Sequence, residues 1–425
     1  MMSVILGCIA DDFTGATDLC NTLVRQGMRS VQLIDVPAAS APVPEADAVV
    51  IALKSRTIPA DAAIQQSLAA LSWLQAAGCQ QFFFKYCSTF DSTDAGNIGP
   101  VAAALLEALN SDFTIACPVF PETGRTLFKG HLFVGNQLLS DTHMRNHPLT
   151  PMTDSNLVQV LQRQTTLSVG LATYDDVAAG PARLQTRFTE LQRSGHQFAI
   201  VDAVSDDDLI TIGRACADLP LITGGSGVAM GLPGVYRDRG WLTETTPGRA
   251  ASSTAVAGAE AVLSGSCSAA TLAQVNRFAA RHPHFQIDPL ALANGQDVAA
   301  EALQWALPKL SGGPVLIAAS AAPETVKAVQ EKLGSGHAGA LVEACLAAVA
   351  KGLVAAGVRR MVVAGGETSG AVVAGLNIQG LHIGAQIAPG VPATVTTGDP
   401  CLALALKSGN FGGPDFFAEA LKQMP

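Results

Sequence analysis

Residues 3–16 read SVILGCIADDFTGA, an apolar run closed by Asp11-Asp12, with Thr14-Gly15 opening a helical pattern. A short apolar run that ends in polar residues and leads into a helix is the start of a βα unit. The same order recurs downstream. Strands are expected near 3–10, 30–35, 48–53, 81–86, 113–117, 198–202 and 219–223, with helices near 15–27, 61–77, 97–109, 181–194 and 206–217 between them. This alternation predicts parallel strands joined by right-handed crossovers. In open sheets of that kind ligands bind beyond the carboxyl ends of the strands, so the residues just after each apolar run are where chemistry should be sought.

The chain has 425 residues, more than one hydrophobic core usually organises. Residues 242–258, LTETTPGRAASSTAVAG, are small and polar without periodicity and form the expected linker. A second series follows, with strands near 260–264, 284–287, 314–318, 360–364 and 393–397, and helices near 268–281, 297–308, 323–333 and 338–356. The expected fold class is α/β, with two domains, 1–241 and 259–425, each a mostly parallel sheet flanked by helices.

Charged residues are only 14% against 48% apolar, which excludes a disordered chain. The net charge of −9 comes without a basic tail or stripe, which argues against nucleic acid as a partner. Nine cysteines occur with no C-x-x-C pair, and most lie in apolar runs, as buried thiols do in a reducing compartment. Residues 1–10 carry no basic segment and read as a strand, not a signal peptide. No apolar run is expected to span a membrane, and the expected location is cytoplasmic.

Several strand ends carry chemistry. Asp11 and Asp12 can orient or deprotonate a hydroxyl, while the helix start at Thr14-Gly15 offers N–H groups to an anion. One of the two carboxylates is expected to be an N-cap. Lys85 ends the run QFFF and is followed by Ser88, Thr89, Ser92 and Thr93, then by Gly96-Asn97-Ile98-Gly99-Pro100. A cation among hydroxyls suits a polyhydroxylated carboxylate; a solvated Ser/Thr turn is the plainer alternative. Arg125 in PVFPETGR and Arg56 in Lys54-Ser55-Arg56 are further candidates for a bidentate carboxylate contact. His143 and His147 stand at i,i+4, a spacing that could suit a metal, but without an H-E-x-x-H signature a structural or substrate-shaping role is expected. Thr223-Gly224-Gly225-Ser226-Gly227 could gather N–H groups around an oxyanion or simply make a tight turn.

In the second half, Ser264-Gly265-Ser266-Cys267-Ser268, Ala364 to Gly370, Gly398-Asp399-Pro400 and Lys407 to Gly413 offer small residues and hydroxyls after apolar runs. Together they fit a polyphosphate, which backbone must approach closely, with Glu367 or Asp399 as candidate Mg²⁺ ligands. The dipeptide Gly-Lys never occurs, so there is no Walker A loop. The one G-x-G-x-x-G, Gly334 to Gly339, follows a helical pattern and is expected to be an interhelical turn, which disfavours a dehydrogenase. On these residues alone a kinase cannot be separated from an isomerase, a lyase, an ATP-dependent ligase or a sugar-acid sensor.

The segments ADDFTGATD, KYCSTFDST with GNIGPV, PVFPETGRT, HPLTPMTDSNL, LSGSCSAAT, VVAGGETSGAV and LALKSGNFGGPDFF together resemble the four-carbon acid sugar kinase family, from the first strand to the C-terminus. The resemblance implies an N-terminal acid-sugar domain, a C-terminal ATP domain, and transfer of the γ-phosphate to the terminal hydroxyl of a four-carbon sugar acid. An acid oxidised at C3 is preferred to threonate or erythronate. It implies ATP contacts at Ser264 or Ser266, Gly365, Gly366, Glu367, Thr368 and Gly409, with Mg²⁺ bridging phosphates. The acid would meet Asp11, Asp12, Arg56, Lys85, Ser88, Thr89 and Arg125, with Asp12 as base and Asp11 second. Closure of the two domains would set the hydroxyl in line with the γ-phosphate. Small molecules are the expected partners, and a homodimer is the candidate assembly.

Overall fold

A computed structural model of the chain describes residues 4–147, 150–243, 255–320 and 335–425. The chain divides into two compact units, Met1–Arg249 and Ala250–Pro425. Most of the linker expected at 242–258, and the whole helix expected at 323–333, lie outside the described residues.

In the first unit the strands are β1 Leu6–Ala10, β2 Ser30–Ile34, β3 Ala48–Ala52, β4 Gln81–Lys85 and β5 Thr114–Cys117. They continue with β6 Arg125–Phe128, β7 His131–Val134, β8 Gln137–Leu138, β9 Val169–Ala172, β10 Phe198–Val201 and β11 Leu221–Gly224. Eight of these form one sheet in the order β2-β3-β1-β4-β11-β5-β10-β9, every pairing parallel. β1, β3 and β4 are buried along their whole length, as strands covered on both faces must be, which explains their unbroken apolar runs. β3 and β4 flank β1, so the chain changes direction across the sheet there and opens a crevice at the carboxyl ends.

The helix Phe13–Arg25 leaves that edge, and Asp12 is its N-cap, accepting the Gly15 N–H at 3.1 Å. A separate antiparallel sheet, β6-β7-β8, was not expected from the sequence, nor was β9. Its strands are two to four residues long and partly exposed, too short to show a period.

The second unit contains β12 Ala259–Ser264, β13 His284–Gln286, β14 Val315–Ala318, β15 Val358–Ala364, β16 Gly380–Ala388, β17 Val391–Thr396 and β18 Ala403–Lys407. The order is β13-β14-β12-β15-β18-β17-β16. The pairings from β13 to β18 are parallel, and those of β17 are antiparallel. Val262, Phe278, Leu316, Val362, Phe416 and Phe417 belong to its core.

From Ser335 on, the run expected to be an interhelical turn is the start of a helix, Ser335–Ala355. Its segment His337–Ala355 is, by length and composition, apolar enough to cross a membrane, contrary to the expectation of none; here it packs against the helix Gly366–Gly375.

Candidate active site

In the first unit the ends of β1, β3 and β4 bring Asp11, Asp12, Arg56 and Lys85 together. Ser55 N donates to Asp11 O at 3.0 Å, and Asp11 N donates to Lys85 O at 3.0 Å, so the three strand ends are fastened side by side. Arg56 grips Asp11 with both arms: Nε donates to Oδ2 and Nη2 to Oδ1, each at 2.8 Å. Nη2 also donates to Asp12 Oδ1 at 2.6 Å, and Nη1 faces Asp91 Oδ2 at 3.8 Å. Arg56 is therefore engaged by three carboxylates of its own chain, which leaves little of its fork for a ligand.

The paired carboxylates differ in access and in proton affinity. The Asp11 side chain is 7% exposed and the Asp12 side chain 29%. Burial pushes the Asp11 carboxyl up in spite of Arg56. Burial acts the same way on Asp12, but the charges of Arg56 and Lys85 and the Gly15 N–H outweigh it and hold that carboxyl below its ordinary value. Asp12 is thus the reachable and firmly ionised member.

Lys85 is buried, and its Nζ donates to Tyr86 O at 2.9 Å. A β-carbon at Gly15 would lie 2.3 Å from Asp12 Oδ1 and 2.6 Å from Lys85 Nζ, so the ammonium flanks the helix start beside Asp12. Asp18, one turn on, accepts from Ser226 Oγ at 2.5 Å, and burial raises its carboxyl.

The loop after β4 is held by its own polar contacts. Thr89 Oγ1 donates to Asp91 Oδ1 at 2.5 Å, and Ser88 is half-buried beside it. Asn97 Nδ2 donates to the carbonyls of Ser55 (2.6 Å), Ile58 (2.9 Å) and Arg56 (3.3 Å), clamping the segment that presents Arg56. Gln164 bridges Ser92 Oγ, Thr93 O and Gly99 N. Asp91, Asn97 and Ser226 were legible only as members of polar turns, and Asp18 only as a residue of the first helix, because their partners stand far away in sequence.

Arg125 opens β6, on the small sheet, and its guanidinium binds Thr123 O in its own turn. His147 Nδ1 accepts the Thr150 N–H at 3.1 Å, a structural contact, and no metal-holding group of three His, Cys, Asp or Glu occurs among the described residues. The glycines of Gly224–Gly227 let backbone pass close to backbone: β-carbons at Gly224, Gly225 and Gly227 would lie 2.4–2.5 Å from the carbonyl oxygens of Cys117, Pro118 and Val119.

In the second unit, β12, β15 and β18 end together, since Ser264 pairs with Ala364 and Ala364 with Lys407. Gly365 has φ 125°, caps the helix Gly366–Gly375, and donates its N–H to Lys407 O at 2.9 Å. Thr368 Oγ1 fills the space between the turns; β-carbons at Gly265 and Gly365 would lie 2.3 and 2.9 Å from it. Across the edge, Ser268 Oγ and Thr271 Oγ1 donate to Gly409 O at 2.6 and 2.8 Å, and a β-carbon at Gly409 would lie 2.5 Å from Ser266 Oγ. Ser266, Gly365, Thr368 and Gly409 are therefore neighbours. Ser268, Thr271 and Lys407 stand in the segments quoted from the sequence, which gave none of them a contact of its own.

Ser264 is fully buried, and its Oγ pairs with Ser320 Oγ at 2.7 Å. Gly366 is the first helical residue and Glu367 the second, with its side chain exposed. Asp399 does not join them. β17 runs antiparallel to β18, with Val395 opposite Ala403, so Asp399 emerges at the opposite edge, beside Arg359 and Asn377. At ~3.3 Å per residue that edge is roughly 16 Å from the Gly365 turn.

The chain matches two family models: a sugar-binding N-terminal domain over residues 6–232 and a nucleotide-binding C-terminal domain over residues 261–417. It is 63% identical over 423 residues to the 3-oxo-tetronate kinase of Cupriavidus necator, covering 99% of this chain and 97% of that one. It is 44% identical to the 3-oxo-tetronate kinase of Haemophilus influenzae, covering 98% and 99%. Among solved structures, a Salmonella typhimurium LT2 protein described as a tRNA synthase has a TM-score of 0.91 at 42% identity, covering 99% of this chain and all of that one. A Haemophilus influenzae protein has a TM-score of 0.85 at 44% identity, covering 98% and 99%.

Proposed function

The chain belongs to the four-carbon acid sugar kinase family, and from that premise we propose how its residues divide the reaction. It is an ATP-dependent carbohydrate kinase that transfers the γ-phosphate of ATP to the 4-hydroxyl of a four-carbon acid sugar, 3-oxo-tetronate, giving the 4-phosphate. The observation that carries this reading is similarity to named kinases along the whole chain, without a break at either unit.

Residues 1–241 hold the acid and 259–425 hold ATP, in keeping with the two domain models. Asp12 accepts the hydrogen bond of the 4-hydroxyl and aims its oxygen at the γ-phosphorus. The new O–P bond forms as the bond to the β-phosphate oxygen breaks, and the hydroxyl proton passes to Asp12. Phosphoryl transfer runs through a loose transition state, so positioning matters more than base strength, and a carboxylate held firmly ionised suits the task.

Lys85 takes the substrate carboxylate, and Ser88 and Thr89 meet its hydroxyls. Arg125 is the second cation for that carboxylate; its Nε is buried without a hydrogen-bond partner among the described residues, as a donor reserved for a ligand would be. Arg56 and Asp11 hold Asp12 in place and leave the carboxylate to Lys85 and Arg125.

ATP phosphates lie against Ser266, the Gly365–Thr368 helix start and Gly409, where backbone N–H groups and the helix dipole favour anions. Mg²⁺ is suited by this edge without a built cage, since it usually keeps several waters and binds through substrate phosphates plus one or two carboxylates. Glu367 is the carboxylate that would reach it, and Mg²⁺ would supply charge neutralisation of the phosphates. The cytoplasm, where ATP is available, is the proposed location.

The test is product release with a panel of four-carbon acids. ADP formed stoichiometrically with 3-oxo-tetronate 4-phosphate is the expected result. AMP release would assign a synthase-type ligase instead, and acid turnover without ATP would assign an isomerase or lyase.

A further inference from the structure

We propose that Lys407 is the phosphate-binding lysine of this enzyme, holding the polyphosphate of ATP from a strand end as a P-loop lysine does from a loop. The proposal rests on the ATP site placed above at the Ser266–Gly365–Gly409 edge.

Lys407 ends β18 at that edge, opposite Ala364, and its carbonyl accepts the Gly365 N–H. The residue is 1% exposed. Among the described residues its ammonium touches only neutral acceptors, Thr271 Oγ1 at 2.9 Å and Gly409 O at 3.0 Å. Among the described residues no carboxylate pairs with it. A buried ammonium without a counter-ion is costly, and folds keep one where something else supplies the charge.

The contact to Gly409 is surplus to the structure's own needs. That carbonyl already accepts from Ser268 Oγ and Thr271 Oγ1, and a carbonyl oxygen has two lone pairs. Gly409 in turn packs against Ser266 Oγ, so the ammonium lies within the same group of hydroxyls and glycines that would receive phosphate. The chain has no Gly-Lys dipeptide and hence no Walker lysine to do this elsewhere. Burial pushes the Lys407 ammonium down to about 8, as expected for a charge waiting for its partner.

The experiment measures the Kd of Mg-ATP by calorimetry on the full chain, without acid, together with the melting temperature. A failure here therefore leaves the kinase reading to its own product assay. Lys407→Met should weaken ATP binding at least about tenfold, the scale of a hydrogen bond to a charged group. At pH 7 it should melt no lower than wild type, because the cost of burying that ammonium has gone. A lowered melting temperature with unchanged ATP affinity in the folded protein would make Lys407 a structural latch and overturn the proposal.

Lys407→Arg gives a second reading that does not depend on the Met variant folding. Only the protonated lysine binds phosphate, so wild-type affinity should fall about tenfold as pH rises from 7 to 9 through the Lys407 value. The Arg variant stays charged and should be flat over that range. Equal pH dependence in both proteins would also overturn the assignment.

Discussion

Asp12 meets two demands at once. Its Oδ1 caps the helix Phe13–Arg25 through Gly15 N–H and accepts from Arg56, yet its side chain is the exposed member of the Asp11–Asp12 pair. Asparagine can still cap, because its amide oxygen accepts the same bond and asparagine ranks with aspartate at N-caps. Asp12→Asn is therefore expected to melt near the wild-type temperature while turnover falls at least about a hundredfold, the scale of a general base. Steady-state rates and a thermal melt on the same protein check this; near-normal turnover would remove Asp12 from the chemistry. Gly15 is bound to the same point. Gly15→Ala places a β-carbon against Asp12 Oδ1 and Lys85 Nζ, so the Michaelis constant for the acid should rise strongly and that for ATP should not. Equal disturbance of both constants would mean that the fault is general instability.

At the scale of elements, the turns after the strands carry the argument. The run Gly365-Gly366 suggests two interchangeable glycines, but only Gly365 is recorded at positive φ, 125°, before the helix Gly366–Gly375. A side chain there carries backbone strain of about 1–3 kcal/mol, besides crowding Thr368. Gly365→Ala should lower the melting temperature and raise the Michaelis constant for ATP. Thr368→Ala should raise that constant by the equivalent of about 1.5–3 kcal/mol, if its hydroxyl meets a charged phosphate. Thr368→Ser should restore most of it, and failure of serine to rescue would point to lost methyl packing.

The other clamp is Asn97. Three carbonyls of residues 55–58 depend on its one amide nitrogen, so Asn97→Ala should cost about 1–3 kcal/mol and weaken acid binding through a loosened Arg56. Chemical denaturation together with acid titration reads both; unchanged acid affinity would confine Asn97 to stability.

On the scale of the whole molecule, the two compact units should respond separately to their own ligands. At a hundred times its Kd a ligand stabilises what it binds by about 2.7 kcal/mol. For units of this size that moves a melting transition by roughly 5–10 °C. Calorimetry is expected to resolve two transitions, one raised by ATP and the other by 3-oxo-tetronate. A single transition moved equally by both ligands would reject independent units.

What the sequence by itself determined is local: where strands begin and end, and which polar residues follow them. Apolar runs such as LGCIA and AVVIA are continuous because parallel strands covered on both faces exclude water along their whole length. That signal needs no partner to be visible, and it put Asp11, Asp12, Arg56 and Lys85 at strand ends. Partnership and direction were decided only by the tertiary structure. No spacing tells that Arg56 reaches back to Asp11 and Asp12 across more than forty residues, because that contact exists only once β3 lies beside β1. Nor does the run before Asp399 show that β17 is antiparallel, which carries Asp399 to the far edge of its sheet. The period of a strand is the same in either direction, so only its hydrogen-bonded neighbour settles which edge its end belongs to.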